Sequence, residues 1–305
     1  MIRATMSHRA SMLLAILVLS LGAQCMAREL RDDAGASLSV SDAPCRIVSL
    51  APGTTAMLYA AGAGHCLIGT IAHSTEPAEA AKLPVVGDAE TLDFEQLLAL
   101  RPTVVVVAVD VVQRMRIDRI RALGIPVYQV HVTSLAGMAQ SLRRLGALTG
   151  TTDAAERAAA GLDVDLQALR ARYWQRPPLR VLYQIWDKPI YTIGGRHVIN
   201  DALRVCGARN IFDDLDTAAP AVTRESALAR DPELILASGP ADIAAAWLAE
   251  WRRFPTLTAV RKSRLVAHTD ERIDRMGPSV IAAAGALCEV IDQARRSPAP
   301  AELSR

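Results

Sequence analysis

TDAAERAAAGLDVDLQALRARYW, residues 152–174, is the stretch on which the reading of the fold turns. It is rich in Ala, Leu, Arg and Glu, all strong helix formers. Thr152 or Asp153 can cap its start, and Gln175-Arg176-Pro177-Pro178 stops it, because proline lacks the helical N–H donor and clashes with the preceding turn. At ~1.5 Å per residue such a helix runs roughly 30 Å, about the width of a domain. The sequence on either side of it follows a different grammar.

Upstream, RIVSL (46–50) reads as a strand and TTAMLYAAG (54–62) as a helix closed by Gly62. LIGT (67–70) is a second strand. Asp93 caps the helix FEQLLAL, with Gln96 at the capping-box position. Val104 to Val109 is dominated by β-branched residues, as in a strand covered on both faces. A further helix and a GIP turn lead to VYQVHV (127–132). Strand and helix alternate, which predicts a parallel α/β sheet. Downstream, LRVLYQI (179–185), ELILAS (233–238) and RLVAHT (264–269) carry a second series. Residues 93–106 align without a gap with residues 223–236, so that cap, Glu, Leu, Ala, Pro and strand coincide. That match points to a duplicated plan. The expected fold class is therefore α/β: two Rossmann-like lobes with parallel sheets, residues 44–150 and 178–298, joined by one long helix over 152–175. Ligands of open parallel sheets bind beyond the carboxyl ends of the strands. Two such lobes face each other across a cleft, and a single stiff connection predicts little hinge motion.

The chain has 305 residues, 51% hydrophobic and 4% aromatic, enough for two cores. Residues 1–27 read as a signal peptide. Arg3 and Arg9 form a basic start, Ser11 to Ala23 is an apolar run too short to span a bilayer, and Cys25-Met26-Ala27 offers small residues for cleavage. Gln24 argues against Cys25 as a lipidated cysteine, since such sites want a small residue there. Arg3 and Arg9 account for the formal net charge of +2. A balanced remainder gives no reason to expect nucleic acid or an acidic membrane as partner. No later stretch reaches about 18 uninterrupted apolar residues, so no transmembrane helix is expected.

Export places the chain in an oxidising compartment. Cys45, Cys66, Cys206 and Cys288 remain, and four cysteines allow three pairings. Cys45 and Cys66 each precede a strand, and adjacent parallel strands would start them side by side. Cys206 and Cys288 lie on helical segments of the second half. The expected bridges are 45–66 and 206–288, each contributing roughly 3–4 kcal/mol in the chain-entropy model. The spacing has no C-x-x-C of a zinc site.

The runs RIVSLAPGTTAMLYAAG, LDFEQLLALRP, ALGIPVYQV, LRVLYQIWDKPIYTIGG, INDALRVCGARNIFDD and PAVTRESALARDPELIL resemble the helical-backbone binding proteins of ABC importers, over nearly all of the mature chain. INDALRVCGARNIF and LCEVI, with its Cys288, are most similar to the corrinoid-binding branch of that family. The resemblance implies a monomeric periplasmic protein that holds a corrinoid such as cobalamin between its lobes, as bound ligand and not as cofactor. It implies that Glu95 and Glu225, at equivalent points of the two lobes, dock arginines of the permease. An acidic residue in a helix's first turn also favours the macrodipole by roughly 0.3–1 kcal/mol without any partner. Where that branch has cleft aromatics, this chain has His73, Ala89 and Ala219; it keeps Tyr191 and adds Trp186 beside Ile185. Haem and ferric siderophores are the alternative ligands within the family.

Candidate ligand contacts follow from the loops after the strands. Pro52, Gly53 and Thr54 open a helix whose N-terminus suits a polar ligand edge. His73 lies in the polar loop HSTEP and is the candidate axial metal ligand, with no second ligand nearby in sequence. Trp186 precedes Asp187-Lys188-Pro189 and is expected to project at the cleft edge, with Tyr191 and the flexible Gly194-Gly195 after it. Arg275, beside Asp274, offers a guanidinium to phosphate, propionate or amide groups. Trp247 and Trp251, at i and i+4, read as core or helix face. The sequence lacks G-x-S-x-G, H-E-x-x-H, Walker A and G-x-G-x-x-G motifs, so an enzyme, a hydrolase or metal chelatase, is the distant alternative.

Overall fold

The computed structural model describes residues 28–40, 45–109 and 114–296. The leader read over 1–27 lies outside the described residues. The chain begins with an antiparallel hairpin of β1 (Arg28–Arg31) and β2 (Ser37–Val40). Then follow β3 (Ile47–Ser49), α1 (Pro52–Ala60), β4 (Leu67–Gly69), α2 (Phe94–Ala99), β5 (Val104–Ala108), α3 (Arg114–Ala122), β6 (Val127–Val130) and α4 (Leu135–Thr149). The four strands from β3 to β6 form one all-parallel sheet in the order β4-β3-β5-β6. Val104, Val105, Val106 and Val107 are fully buried, as a strand between two helical layers requires.

Helix α5 (Thr152–Tyr173) follows a turn in which Gly150 takes the left-handed conformation at φ 75°. It buries Ala155, Ala159, Leu166 and Tyr173, whose spacing keeps them on one stripe, and leaves much of the rest to solvent. Arg143 on α4 ties it down by ion pairs with Glu156 at 2.7 Å and Asp163 at 2.9 Å.

The second half adds β7 (Leu179–Trp186), β8 (Ile190–Thr192), α6 (Val198–Val205), β9 (Ala208–Asn210), β10 (Ala221–Val222), α7 (Arg224–Arg230), β11 (Leu234–Ser238), α8 (Ala241–Trp251), α9 (Thr258–Arg261), β12 (Leu265–His268) and α10 (Val280–Arg296). Its sheet has a parallel heart, with β11 between β7 and β12 and β9 alongside β7. It also carries two antiparallel additions, β8 on β7 and β10 on β8, so this sheet is mixed where the sequence suggested a parallel one. The duplicated segments occupy equivalent places: α2 leads into β5 and α7 into β11, each an inner strand of its sheet.

One continuous apolar core runs from Ile47 and Met57 through Leu142, Ala155, Ala159 and Leu166 to Val181, Leu287 and Ile291. Separate smaller cores cover the outer faces, one around Val105 and Ile120 and one around Ile235 and Trp251. The cysteines are bridged as their placement predicted, Cys45 to Cys66 and Cys206 to Cys288. The N-terminal hairpin was not foreseen. Its turn residue Asp33, 1% exposed at its side chain, accepts hydrogen bonds from Ser141 Oγ at 2.6 Å, Arg144 at 2.7 Å and the His131 N–H at 3.1 Å. The Asp33 N–H donates to the Gln129 carbonyl at 3.0 Å, so the hairpin covers the outer edge of β6.

Candidate functional site: the cleft between the two sheets

The carboxyl ends of both sheets converge on a cavity of about 430 Å³. From the first half it is walled by Ala51–Thr54 and Met57 at the start of α1, by Ala108 at the end of β5, and by Val130 and Val132 at and after the end of β6. From the second half come Gly239 and Pro240 after β11, and Glu271, Asp274, Arg275 and Met276 after β12. One wall is thus largely apolar and the facing wall is charged.

The two halves touch directly at Gly53. A side chain there would collide with the Arg275 carbonyl and stand 2.8 Å from that of Met276, so only glycine lets α1 begin so close to the opposite wall. Around it the hydroxyls turn inward. Thr54 Oγ1 donates to the Ala51 carbonyl at 2.9 Å and lies 2.7 Å from Ser49 Oγ. Thr55 Oγ1 lies 2.8 Å from Thr70 Oγ1, which donates to Ser74 Oγ at 2.8 Å. This buried chain fixes the loop that carries His73 and Glu76 relative to the start of α1. His73 in that loop (φ 65°) and Met276 in the opposite wall (φ 47°) both hold the left-handed conformation without being glycine.

Glu76 reaches across the cleft. Arg275 Nη1 donates to its Oε1 at 3.2 Å, while Nη2 donates to Glu271 Oε2 at 3.1 Å. Behind that wall Tyr183 Oη donates to Ser238 Oγ at 3.0 Å, and Ser238 Oγ donates to Asp274 Oδ2 at 3.3 Å. Asp274 is wetted by the cavity but closely surrounded by protein. Desolvation, with Glu271 and Asp270 adding repulsion, pushes its carboxyl up to about 6, against the opposing hydrogen bond from Ser238. Burial pushes the Tyr183 phenol up and the His268 imidazole down. The His268 ring lies 6.1 Å from that of Tyr183, and its Nδ1 has no partner among the described residues.

An aromatic shelf adjoins the cavity. Trp186, the last residue of β7 and not part of the following loop, is 58% exposed. Its ring meets Trp247 edge-on at 6.2 Å, and the Trp247 ring edge stands 3.9 Å from where a Cβ on Gly239 of the cavity wall would lie. Tyr191 is its cross-strand partner on β8. Trp251 is the true core residue of the α8 pair; it is fully buried and its indole N–H donates to Gln184 Oε1 at 2.8 Å. Trp247 is partly buried against the same core and also meets Trp186.

The structure therefore brings Pro52, Gly53, Thr54 and Arg275 to one cavity. Trp186, Tyr191 and His73 lie outside its lining; Trp186 meets Trp247, and His73 is exposed. Among the described residues the one group of three potential metal donors is Cys45, His65 and Cys66, of which the cysteines are bridged; His73 is not in it. Gly194 and Gly195 are small for another reason than ligand approach: side chains there would strike the carbonyls of Leu215, Thr217 and Asp213. Glu271 and Met276, Gly239 and Pro240 were not anticipated. Glu76 lies in the HSTEP loop, and nothing in that local sequence signals its partner across the cleft. Glu95 and Glu225 both lie exposed in the first turns of α2 and α7, without an ion-pair partner among the described residues. Their helices are capped alike, Asp93 accepting from the Gln96 N–H at 2.9 Å and Thr223 from the Ser226 N–H at 3.1 Å.

A cavity at the carboxyl ends of two sheets, with one helix between the halves, is the geometry of a cleft-type ligand-binding protein. The sequence profile of the periplasmic binding protein family matches residues 47–271, and the chain belongs to that family. It is 30% identical over 248 residues to the vitamin B12-binding protein of Yersinia pestis (strain Pestoides F), covering 80% of this chain and 85% of that one. The solved periplasmic vitamin B12 binding protein BtuF of Vibrio cholerae superposes with a TM-score of 0.75 at 28% identity, over 83% of this chain and 99% of that one. The periplasmic heme-binding protein RhuT from Roseiflexus sp. RS-1 shares the fold, with a TM-score of 0.70 at 23% identity over 82% of this chain and 99% of that one.

Proposed function

We propose that this protein captures a corrinoid in the cleft between its halves, residues 44–150 and 178–298, and delivers it to the permease of an ABC importer. The observation that carries this reading is the cavity at the carboxyl ends of both sheets, bordered by an aromatic shelf, in a chain whose relatives at 28–30% identity are vitamin B12-binding proteins. A corrinoid is larger than the cavity. In this reading one amide-bearing edge enters between Gly53 and Arg275, and the flat ring rests on Trp186, Trp247 and Tyr191. Residues 1–27 direct export to the periplasm. Glu95 and Glu225, exposed and unpaired, meet basic groups of the permease and orient the complex. The protein itself performs no turnover.

Titration of the purified protein with cyanocobalamin, haemin and a ferric hydroxamate, followed by absorbance and melting temperature, tests the ligand. Cyanocobalamin at a hundredfold excess over its Kd stabilises the protein by about 2.7 kcal/mol. No response to cyanocobalamin, together with a Soret shift by haemin that disappears in His73→Ala, replaces corrinoid by haem. The docking role is tested by Glu95→Ala with Glu225→Ala, which abolishes uptake and leaves ligand affinity intact. Equal loss of both assigns these carboxylates to stability alone.

A further inference from the structure

The ionisable groups at the cleft form a set with an imbalance. Glu76 stands on the first half; Asp270, Glu271, Arg272, Asp274 and Arg275 stand on the loop after β12. Arg272 is committed to Asp270 by two short contacts, 2.8 and 2.6 Å. Arg275, the one guanidinium lining the cavity among the described residues, is held on one side by Glu76 and on the other by Glu271. Asp274 faces the same cavity with no basic partner among the described residues; its hydrogen bond comes from a neutral hydroxyl. Four carboxyl groups thus surround two guanidiniums. Desolvation is the main upward push on the Asp274 carboxyl, and the nearby Glu271 and Asp270 add to it in the same direction.

An arginine already paired to two carboxylates is a poor receptor for an anionic ligand. The anion must displace Glu76 or Glu271, and the displaced carboxylate stays close to the same guanidinium. A neutral amide edge asks for no such exchange, because it can accept from the remaining guanidinium protons and donate to the carboxylates. Taking the corrinoid reading above as its basis, we infer that Glu76, Glu271 and Asp274 determine specificity: they hold Arg275 occupied and make the cleft favour uncharged and cationic macrocycles over anionic ones. The macrocycles selected against are those with ionised carboxylates at their edge, such as haem with its propionates or a corrinoid whose side-chain amides have been hydrolysed. The site is the cavity itself; the carboxylates set its preference.

A matched ligand series reads this directly. Cyanocobalamin is neutral, its peripheral monocarboxylate is an anion of the same shape, and the aminoethyl amide of that carboxylate is a cation. All three keep the axial cyanide, so coordination by a histidine does not intervene. Binding to the full-length mature protein is measured by calorimetry for wild type, Glu76→Gln, Glu271→Gln and the double variant. The Glu271 side chain is 66% exposed and that of Glu76 is half-buried, and an unchanged melting temperature of each free variant confirms that it folds. We expect wild type to lose about fivefold in affinity from neutral to anion, the size of one or two charges acting through a partly solvated cleft. The double variant flattens the series, chiefly by binding the anion better. If wild type binds cyanocobalamin and its monocarboxylate equally well, or prefers the monocarboxylate, the selectivity is refuted while the corrinoid reading stands. If no member of the series binds folded wild-type protein, the corrinoid reading itself falls and the selectivity with it.

Discussion

Replacing Gly53 by alanine tests whether the halves touch as closely as the cavity requires. The new Cβ would stand 2.8 Å from the Met276 carbonyl oxygen and nearer still to that of Arg275, whereas ordinary contact begins at 3.4 Å. Both obstacles are backbone atoms, so no side chain can swing aside; α1 and the loop after β12 must part. Forced overpacking of this kind costs about 1–3 kcal/mol. Alanine in a helix gains up to about 1 kcal/mol over glycine, which offsets part of that cost. Gly161 in α5 supplies the control, because a Cβ there meets nothing within 4 Å and the position is exposed. Gly161→Ala should therefore raise stability by about 0.5–1 kcal/mol, and Gly53→Ala should lower it or leave it flat despite the same helical gain. In a chain of this size, 1 kcal/mol moves the melting temperature by about 2–4 °C. Thermal unfolding of both variants reads the difference, and ligand titration of Gly53→Ala should show weakened binding as the cavity widens. A Gly53→Ala protein that melts above wild type by as much as Gly161→Ala would refute the contact.

Other outcomes follow from the same geometry. Removing the Cys206–Cys288 bridge, which spans 82 residues, should cost about 4.5 kcal/mol, against about 3.4 kcal/mol for Cys45–Cys66, which spans 21; urea unfolding of the two serine double variants gives the order. Asp274 binds its proton more tightly in the folded protein than in the unfolded chain, so its contribution to stability is complete below its ordinary range and is lost as pH rises towards about 6. Asp274→Asn should remove that part of the decline in a series of melting temperatures from pH 3.5 to 7. Trp186 is more than half exposed, so Trp186→Ala should change unfolding free energy by less than about 1 kcal/mol yet weaken corrinoid binding about tenfold, and an unchanged Kd would remove the shelf from the binding surface.

The parts of the fold that the sequence made legible are those held by local chemistry. The β-branched run of β5 declares a strand buried on both faces, and the alanine-rich run of α5 declares a helix, before any tertiary contact is known. The equivalent places of α2–β5 and α7–β11 follow from the gapless match between residues 93–106 and 223–236. The hairpin of β1 and β2 escaped because each strand has only four residues, too few for the alternation of SLSV to stand out; Leu30 and Leu38 packing on the core and Asp33 binding to Ser141, Arg144 and the His131 N–H secure it. In the cleft, Arg275 was visible as a charge after the last strand, but its partner Glu76 lies 199 residues away, and no local pattern joins the two. The i, i+4 spacing of Trp247 and Trp251 does mark one face against the outer core, with Trp251 fully buried in it and Trp247 partly buried at its edge; the contact of Trp247 with Trp186 had no local signal.

The apolar interior that passes without a break from Ile47 through α5 to Ile291 also bears on how the molecule comes apart. Two sheets would suggest two melting events, but neither half can lose its inner layer without exposing the helix that the other half also needs. Heating should therefore give one calorimetric transition, with the van't Hoff enthalpy close to the total heat absorbed. A binding protein built this way has no half-unfolded form to populate while it waits, empty, for a scarce ligand.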